Sequence, residues 1–403
     1  MGLVIGVGQR YNRIIGVGGV TTSSDGYLWS HSTAITEPFP PNMRAQAVAG
    51  NGSGTVFVVT SDSGWVAQSS DLQTWTAGPV LDGNFTPLGV SWSPNGSGSR
   101  PVFAMAGSRV YNDDNTLPGE YMLNDQVAQI LINESGSVLS WDQAFTHPYA
   151  NSWFHNVRYF TDVLVNGIST AVWVAVGHVS GQPDIWYSEN INWISGGQVP
   201  DTSSWIQVTV PSGLVNRPLY DVTASAGTLY FSGRGVIINT TDLGTPVWNV
   251  SAFFSGITTL INPTGSMLLG TSWNSSTNVL LGTNFTADPG PPASTAAVSN
   301  QWDLISLASN SEGQLVAVSS GNIVFSNDRV GWITTQIQGY YFRSVIWYRD
   351  HWIAGAYSDL TQWTYWTSTD GTTWLPWNNG LQIYGFWANE NITLPNTGSD
   401  LTQ

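Results

Sequence analysis

The chain has 403 residues, and its 26 acidic residues outnumber its 11 basic ones, so that the formal net charge is −15. All of the basic residues are arginine, and cysteine is absent, which excludes disulfides and cysteine chemistry. Because nucleic acids and anionic membranes both require a basic surface, this composition argues against either partner. The aromatic content of 12% is high enough to build a large core.

Short β-branched and aromatic runs bounded by Gly, Asn, Asp and Pro predict strands along the chain, and helical periodicity nowhere extends beyond about 10 residues. In an early unit the runs are RAQAVAG (44–50), TVFVVTS (55–61) and GWVAQSS (64–70), followed by TWTAG. A late unit repeats the order with FRSVIWY, HWIAGAY, WTYWTST and TWLPW. The N-terminus lacks the basic and apolar regions of a signal peptide, and no apolar run approaches the roughly 20 residues of a membrane span.

The sequence Ser-x-Asp-x-x-x-Trp recurs between the third and fourth predicted strands of a unit. Ser and Asp side chains can accept hydrogen bonds from backbone N–H groups in a tight turn, and a buried Trp ring can anchor the strand that follows. The motif therefore predicts a structural turn, not a catalytic site. Its four copies are Ser23, Asp25 and Trp29; Ser69, Asp71 and Trp75; Ser326, Asp328 and Trp332; and Ser368, Asp370 and Trp374.

Four strands in each unit of about 40 to 65 residues predict an all-β fold, a β-propeller with four-stranded blades. Eight blades are favoured, and seven remain possible if the short first unit, whose innermost strand is predicted to begin near Leu3, is only part of a blade. A pair of β-sandwiches would not explain the recurrent motif. We predict a single domain over 1–380, with 381–403 as a strand or tail that closes the ring. The blades are predicted at 2–36, 37–80, 81–146, 147–211, 212–253, 254–300, 301–338 and 339–380.

The repeated motif resembles the Asp-box, or bacterial-neuraminidase repeat, of sialidase-like propellers, in a shortened variant where the Trp comes one residue early. Asp-boxes are structural and occur in sialidases, other glycosidases, sorting receptors and phage virion proteins, so the resemblance implies a fold more than a function. A sialidase would carry an early Phe/Tyr-Arg-Ile-Pro segment, which QRYNRI (9–14) does not match. A propeller rich in Asn, Ser, Thr, Gly and Trp is similar to tail or capsid-surface proteins of bacteriophages.

The resemblance therefore implies a non-enzymatic virion protein of a phage tail, baseplate or capsid surface. Its expected partners are other virion proteins and a host-surface glycan, its expected location is the extracellular particle, and no cofactor, metal or catalytic residue is assigned. The alternative is a carbohydrate-binding or sialidase-like carbohydrate-cleaving propeller that acts at the mouth of its central channel. A cellular propeller scaffold is a third possibility.

Cationic residues near the predicted starts of innermost strands define a candidate ligand site. Equivalent positions of different blades converge on one mouth of the channel, where Arg and aromatic side chains suit carboxylated sugars through bidentate hydrogen bonds and stacking. Alternatively, these arginines pair with local carboxylates such as Asp221 to order the channel. The candidates are Arg44, His155, Arg217 and Arg343, with the aromatic residues Trp153, Tyr220 and Tyr341.

One acidic segment, 112–121, contains Asp113, Asp114 and Glu120. Paired carboxylates can act as a glycosidase acid and base or bind Ca²⁺, but this spacing matches no known motif, and a solvated loop is the simpler interpretation. No His-x-x-x-His or similar set is present, so the sequence predicts no zinc site.

Overall fold

The computed structural model describes most of the chain as strands and short turns, and the described residues contain no α-helix. No helix in this part of the chain has the length and hydrophobicity needed to cross a membrane. The described residues are 3–10, 17–23, 30–31, 34–35, 45–50, 56–60, 64–70, 74–79, 84–97, 100–110, 126–133, 141–189, 204–214, 216–225, 227–233, 236–252, 256–261, 268–273, 278–282, 294–297, 304–310, 312–327, 332–357, 365–377 and 381–389.

The described part of the chain contains 31 strands. The first sixteen are β1 (Leu3–Arg10), β2 (Val17–Ser23), β3 (Ser30–His31), β4 (Ala34–Ile35), β5 (Ala45–Gly50), β6 (Val56–Thr60), β7 (Trp65–Ser69), β8 (Thr74–Pro79), β9 (Phe85–Ser97), β10 (Arg100–Val110), β11 (Gln126–Asn133), β12 (Asp142–Thr146), β13 (Ser152–Val165), β14 (Ile168–Val179), β15 (Gln182–Ser188) and β16 (Ile206–Gln207). The others are β17 (Leu219–Ser225), β18 (Thr228–Gly233), β19 (Val236–Thr240), β20 (Asn249–Ala252), β21 (Gly256–Ile261), β22 (Leu268–Trp273), β23 (Asn278–Gly282), β24 (Ser294–Ala297), β25 (Leu304–Ser309), β26 (Leu315–Ser326), β27 (Ile333–Tyr348), β28 (His351–Tyr357), β29 (Tyr365–Ser368), β30 (Leu375–Trp377) and β31 (Leu381–Asn389).

Most sheets consist of four strands that are consecutive in sequence and antiparallel. These sheets are β9–β12, β13–β16, β17–β20 and β21–β24. The sheet β5–β8 has the same order and gains the short β4, which lies parallel to β8. Because antiparallel neighbours need only short connections, each of these sheets is built from local hairpins.

Strands β25 to β30 form one six-stranded sheet because two of them are long. Residues 315–319 of β26 pair with β25, whereas residues 322–325 pair with β27. The far end of β27 then pairs with β28. Gly321 and Gly339 lie within these strands with φ of +75° and +82°, a region that favours glycine. Each long strand can therefore change direction and serve two pairings.

The first sheet draws on both ends of the chain, in the order β3-β2-β1-β31. Strand β31 runs antiparallel to β1, with Ile5 opposite Trp387, and it also contacts β5 and β27. The C-terminal strand therefore occupies the edge of this sheet that faces its neighbours. The strand that begins at Leu3, predicted as the innermost strand of its unit, is instead second from that edge.

The sheets lie side by side in the order of the sequence. The first strand of one sheet contacts the first strand of the next: β5 contacts β9, β9 contacts β13, β13 contacts β17, β17 contacts β21, and β21 contacts β25. Sheets of four antiparallel strands packed in this succession are the blades of a β-propeller.

The hydrophobic core lies between the faces of neighbouring sheets, as β14 illustrates. Val172, Val174 and Val176 pack against the sheet β17–β20. Trp173 and Ala175, which alternate with them, pack against the sheet β9–β12. Because successive side chains of a strand point to opposite faces, a strand covered on both faces is continuously apolar. This explains the uninterrupted run AVWVAV in the sequence.

Candidate functional site

The turn at 368–374 contains the most completely described copy of the repeated motif. Ser368 Oγ donates to Asp370 Oδ1 over 3.0 Å and accepts from Gly371 N over 2.8 Å. Asp370 Oδ1 also accepts from the backbone N–H groups of Thr372 and Thr373, at 2.8 and 2.7 Å. The two polar side chains thus bind the backbone of their own turn.

Hydrogen bonds within the turn stabilise the negative charge of Asp370. Desolvation acts to raise the pKa of this carboxyl, but the hydrogen bonds from Thr373, Thr372 and Ser368 hold it well below its ordinary value. At the end of the turn, Trp374 is buried and donates from Nε1 to Gly371 O over 3.0 Å. Its ring belongs to a core cluster that also contains Phe342, Trp352 and Trp366.

The other copies of the motif are described in part. Ser69 and Ser326 are buried at the ends of β7 and β26, and Trp332 is half-buried. For Ser23 in β2 and Trp75 in β8 the structure describes the strand but not the side chain. The residues outside the described part of the chain are Asp25, Trp29, Asp71 and Asp328.

A stretched copy of the motif at 240–248 joins two sheets. Asp242 Oδ1 accepts from Gly244 N and Thr245 N within its own loop, at 2.8 and 3.0 Å. The same carboxylate accepts from Asn166 N over 2.9 Å and Gly167 N over 2.6 Å, in the turn between β13 and β14. Although desolvation opposes it, these four bonds lower the pKa of Asp242. We call this arrangement the Asp242 clasp.

A buried polar network surrounds Asp184 on β15. His147 Nε2 donates to Asp184 Oδ2 over 2.9 Å, since Nδ1 accepts from Tyr149 N over 3.0 Å. Trp186 Nε1 and Gln207 Nε2 donate to the same carboxylate, at 2.7 and 2.8 Å. His147 has no accessible surface. The pair resembles an acid–base dyad in its chemistry, but a substrate cannot reach it, so it links β12, β15 and β16 instead.

Two of the predicted ligand-binding residues meet at the boundary between β13 and β17. The ring of Tyr220 stands edge-on to that of His155, with centroids 4.9 Å apart. His155 Nε2 also lies 3.1 Å from His178 Nδ1, and the two imidazole rings are stacked. Burial, and then the neighbouring His178, lowers the pKa of His155 to about 4. Burial also lowers the pKa of His178, against the attraction of Asp184. At neutral pH both imidazoles are therefore uncharged.

The carboxylate of Asp221, which the sequence offered to the candidate arginines, is bound by Arg158. Arg158 Nη2 lies 2.9 and 3.2 Å from the two carboxylate oxygens, and Asn156 Nδ2 donates to Asp221 Oδ1 over 2.8 Å. Sequence reasoning missed Arg158 because it lies inside a predicted strand, beyond a register shift between Phe154 and Asn156. No sequence signal marks that shift.

The remaining candidates are spread over several elements. Arg217 is half-buried and precedes β17, while Trp153 is half-buried on β13 and opposite His178 in the ladder. Tyr341, on β27, is 40% exposed. Arg343 also belongs to β27, where only its backbone is described, and Arg44 lies outside the described residues.

Among the residues that the structure describes, no group of three or more His, Asp or Glu side chains could hold a metal ion. The acidic segment with Asp113, Asp114 and Glu120 lies outside this part of the chain.

The chain matches no protein-family model, and no curated protein is similar to it. Among solved structures it is similar to YCF48 from Cyanidioschyzon merolae, at 13% identity and a TM-score of 0.50, over 80% of this chain and 95% of that one. It is also similar to the WD40 β-propeller domain of Doa1, at 11% identity and a TM-score of 0.48, over 79% and 90% of the two chains. Virginiamycin B lyase from Staphylococcus aureus gives 8% identity and a TM-score of 0.47, over 77% and 90%.

At such identities the similarity concerns the fold alone. Together with the succession of four-stranded antiparallel sheets, it defines the class of this protein, which is a β-propeller.

Proposed function

We propose that this chain is a non-enzymatic structural protein of a bacteriophage virion, displayed on a tail, baseplate or capsid surface. The observation that supports this proposal best is that four aspartate carboxylates are engaged in structural hydrogen bonds. Asp184, Asp221, Asp242 and Asp370 each bind backbone or side-chain donors that join strands and sheets. A general acid or base must be able to exchange a proton with its substrate, whereas each of these carboxylates already accepts hydrogen bonds from several donors of the chain itself. Here they serve rigidity, which suits a displayed scaffold.

The ring itself is proposed to have eight blades, with seven as the alternative. The contacts of β31 with β27 and with β5 support eight blades. They are expected if the sheet of β1, β2, β3 and β31 is a separate blade that lies beside both the sheet with β27 and the sheet with β5. The single domain would then span 1–380, and 381–403 would supply the strand that closes it.

The assignment to a virion rests on the sequence. The chain resembles propellers of phage tails and capsid surfaces in its Asp-box motif, in its low content of charged residues and in its abundance of Asn, Ser, Thr, Gly and Trp. The proposed partners are therefore other virion proteins and the host surface, in an extracellular particle without a cofactor. Neither nucleic acid nor membrane insertion belongs to this proposal.

The proposal is tested on particles made by the genome that carries this gene. Antibodies raised against the recombinant chain should label purified particles at regular positions in immunogold electron microscopy, and mass spectrometry should find the chain in them. Particles from a deletion of the gene are the control. If the chain stays in the supernatant when particles are sedimented, it is not a virion component.

A second candidate function, carbohydrate binding at the channel mouth, is favoured by the contact between His155 and Tyr220. Arg217 precedes the same strand, β17, and an arginine beside aromatic rings suits an acidic sugar. An array of acidic glycans, probed with Arg217→Ala and Arg343→Ala, tests it. If both variants fold and bind as the parent does, the mouth is not the binding site.

A further inference from the structure

A shallow cleft with a volume of about 300 Å³ opens where β26 meets β27. Its lining residues are Gly321, Asn322, Gln336, Gln338, Gly339, Tyr340 and Tyr341. Volumes of small-molecule sites begin at roughly this size.

The cleft lies where the pairing register between β26 and β27 shifts. Asn322 lies opposite Gln336, but the next pair along β26 is Ser320 with Tyr341. The single residue between Ser320 and Asn322 on β26 therefore faces the longer stretch 337–340 of β27, which has no partner in this ladder. A Cβ built on Gly321 would make only an ordinary van der Waals contact, 3.8 Å from Ile337 O, so no atom crowds the strand at this glycine.

The lining of the cleft is polar but uncharged. None of its residues, all of which are described, carries a formal charge. Gln336 and Gln338 are exposed, and Asn322 contributes a third amide. An amide presents both N–H donors and a carbonyl acceptor, and the same combination satisfies a hydroxyl group. An acidic ligand would instead require arginine or lysine in the lining.

Two tyrosines complete the cleft, and one of them is firmly held. The ring of Tyr340 stands edge-on to Trp366 with centroids 4.5 Å apart, and Trp366 in turn packs edge-on against Phe342 at 5.0 Å. Tyr341 is 40% exposed. A tyrosine offers an apolar ring face and a polar hydroxyl, which match the apolar face and the hydroxyl groups of a sugar ring. A ring fixed before binding reduces the entropy lost on binding.

We propose that this cleft binds an uncharged sugar unit, such as a hexose or an N-acetylhexosamine without carboxylate, sulfate or phosphate. The amides bind the hydroxyl groups, and Tyr341 covers the apolar face of the ring. The inference goes beyond the proposed function, because it concerns the isolated chain and holds whether or not the chain belongs to a virion.

The experiment is saturation-transfer NMR on the full chain. The probes are the methyl glycosides of glucose, galactose and N-acetylglucosamine, with sialic acid and glucuronic acid as acidic counterparts. We expect at least one neutral glycoside to bind. Gln338→Ala should weaken its binding about three- to tenfold, and Tyr341→Ala about tenfold, as the loss of one hydrogen bond and of one ring contact implies.

Matched controls remove exposed side chains away from the cleft lining. Ile333, at the start of β27, is 54% exposed, and Tyr149 is 58% exposed. Ile333→Ala and Tyr149→Ala should bind as the parent does. Melting temperatures check folding, and Gln338→Glu, which keeps the shape of an exposed side chain, replaces any variant that fails to fold.

The proposal is overturned if the parent binds no neutral glycoside, if it binds only the acidic sugars, or if the cleft variants bind as tightly as the controls. None of these outcomes affects the labelling of particles, so this inference and the proposed function fail separately.

Discussion

The ring of Phe325, at the end of β26, occupies the space that a side chain on Gly371 would need. Gly371 belongs to the turn at 368–374, whereas Phe325 directly precedes Ser326, the first residue of the preceding copy of the motif. The turn of one copy thus packs against the strand that leads into the preceding copy, and the glycine is needed both for its φ of +75° and for this close approach.

Gly371→Ala should therefore lower the free energy of unfolding more than strain alone does. Gly227, with φ of +77° and no atom within 4 Å of its built Cβ, is the matched control. We expect about 1 kcal/mol of loss for Gly227→Ala and about 2–4 kcal/mol for Gly371→Ala, where overpacking adds to strain. Urea denaturation measures both. Equal losses would show that Phe325 adapts without resistance.

The hydrogen bonds of Asp370 predict a structural role for the repeated motif. Asp370→Ala should lower stability by about 1–2 kcal/mol, since backbone donors lose their acceptor. Trp374→Ala should cost about 3–5 kcal/mol. Asp162→Ala, at an exposed carboxylate whose described bond comes from the adjacent Thr161, is the control and should be nearly neutral. Asp370→Ala protein that still folds should keep any sugar binding; loss of binding without a fall in melting temperature would assign the motif to a ligand site.

The Asp242 clasp makes a residue-level prediction. In Asp242→Ala, the amides of Asn166 and Gly167 should exchange with solvent faster, because the carboxylate that accepts from both is gone. The amide of Ser180, which donates to Asn151 O in another turn, is the internal control. Hydrogen exchange followed by NMR gives the rates. Unchanged exchange at Asn166 and Gly167 would mean that the turn is held by other contacts.

The lowered pKa values of Asp242 and Asp370 also fix a pH dependence. A carboxyl that ionises more readily when folded adds stability above its ordinary pKa, near 4, and this stability is lost as pH falls through the lower folded value. Asp370→Asn should therefore flatten the acid limb of a stability–pH curve below about pH 4. A curve identical to that of the parent would contradict the assignment.

For His155 the dependence of stability on pH has the opposite sign from that of a histidine paired with a carboxylate. Its pKa in the folded chain is lowered to about 4, so between the ordinary value of 6.5 and 4 the unfolded chain binds the extra proton. Stability should thus fall as pH drops through this range, by about 3 kcal/mol, and then level off. NMR titration of the imidazole signals should give an apparent value near 4 for His155. A value near 6.5 would show that the ring is solvated.

Removal of divalent cations should leave the melting temperature unchanged. The prediction follows from the sequence, in which no cysteine or histidine set can hold zinc and closure of the ring buries the faces of the blades. Calorimetry with and without EDTA measures it. A large fall would implicate Ca²⁺ at the segment with Asp113, Asp114 and Glu120.

The strands and the class of fold could be predicted because they follow from local pattern. The uninterrupted apolar run of β14 and the turn chemistry of Ser368 and Asp370 are both visible in sequence order. The partner of Asp221 could not be predicted in the same way, since Arg158 reaches it from another sheet. Such a contact depends on how two sheets are aligned, which a register shift of one residue alters.

The polar cleft was missed for a related reason. Gln336 and Gln338 follow Trp332 in a predicted outer strand and carry no functional signal, and Tyr341 is predicted as a ligand-binding residue of the channel mouth rather than of a cleft. Their convergence arises from the mismatched pairing between β26 and β27. A sequence shows which residues alternate along a strand, but not where the pairing register between two strands shifts.

The pairing of β31 with β1 bears on how the chain is made. During synthesis, β1 leaves the ribosome before β2 to β30, and its partner strand β31 follows only after them. Until then one edge of β1 lacks its partner, and an open edge can pair with strands of other chains. Loop-closure entropy grows only logarithmically with length, so the long wait affects the timing of folding far more than the final stability. Deleting 381–389 should accordingly yield aggregates rather than a soluble ring that lacks a tail.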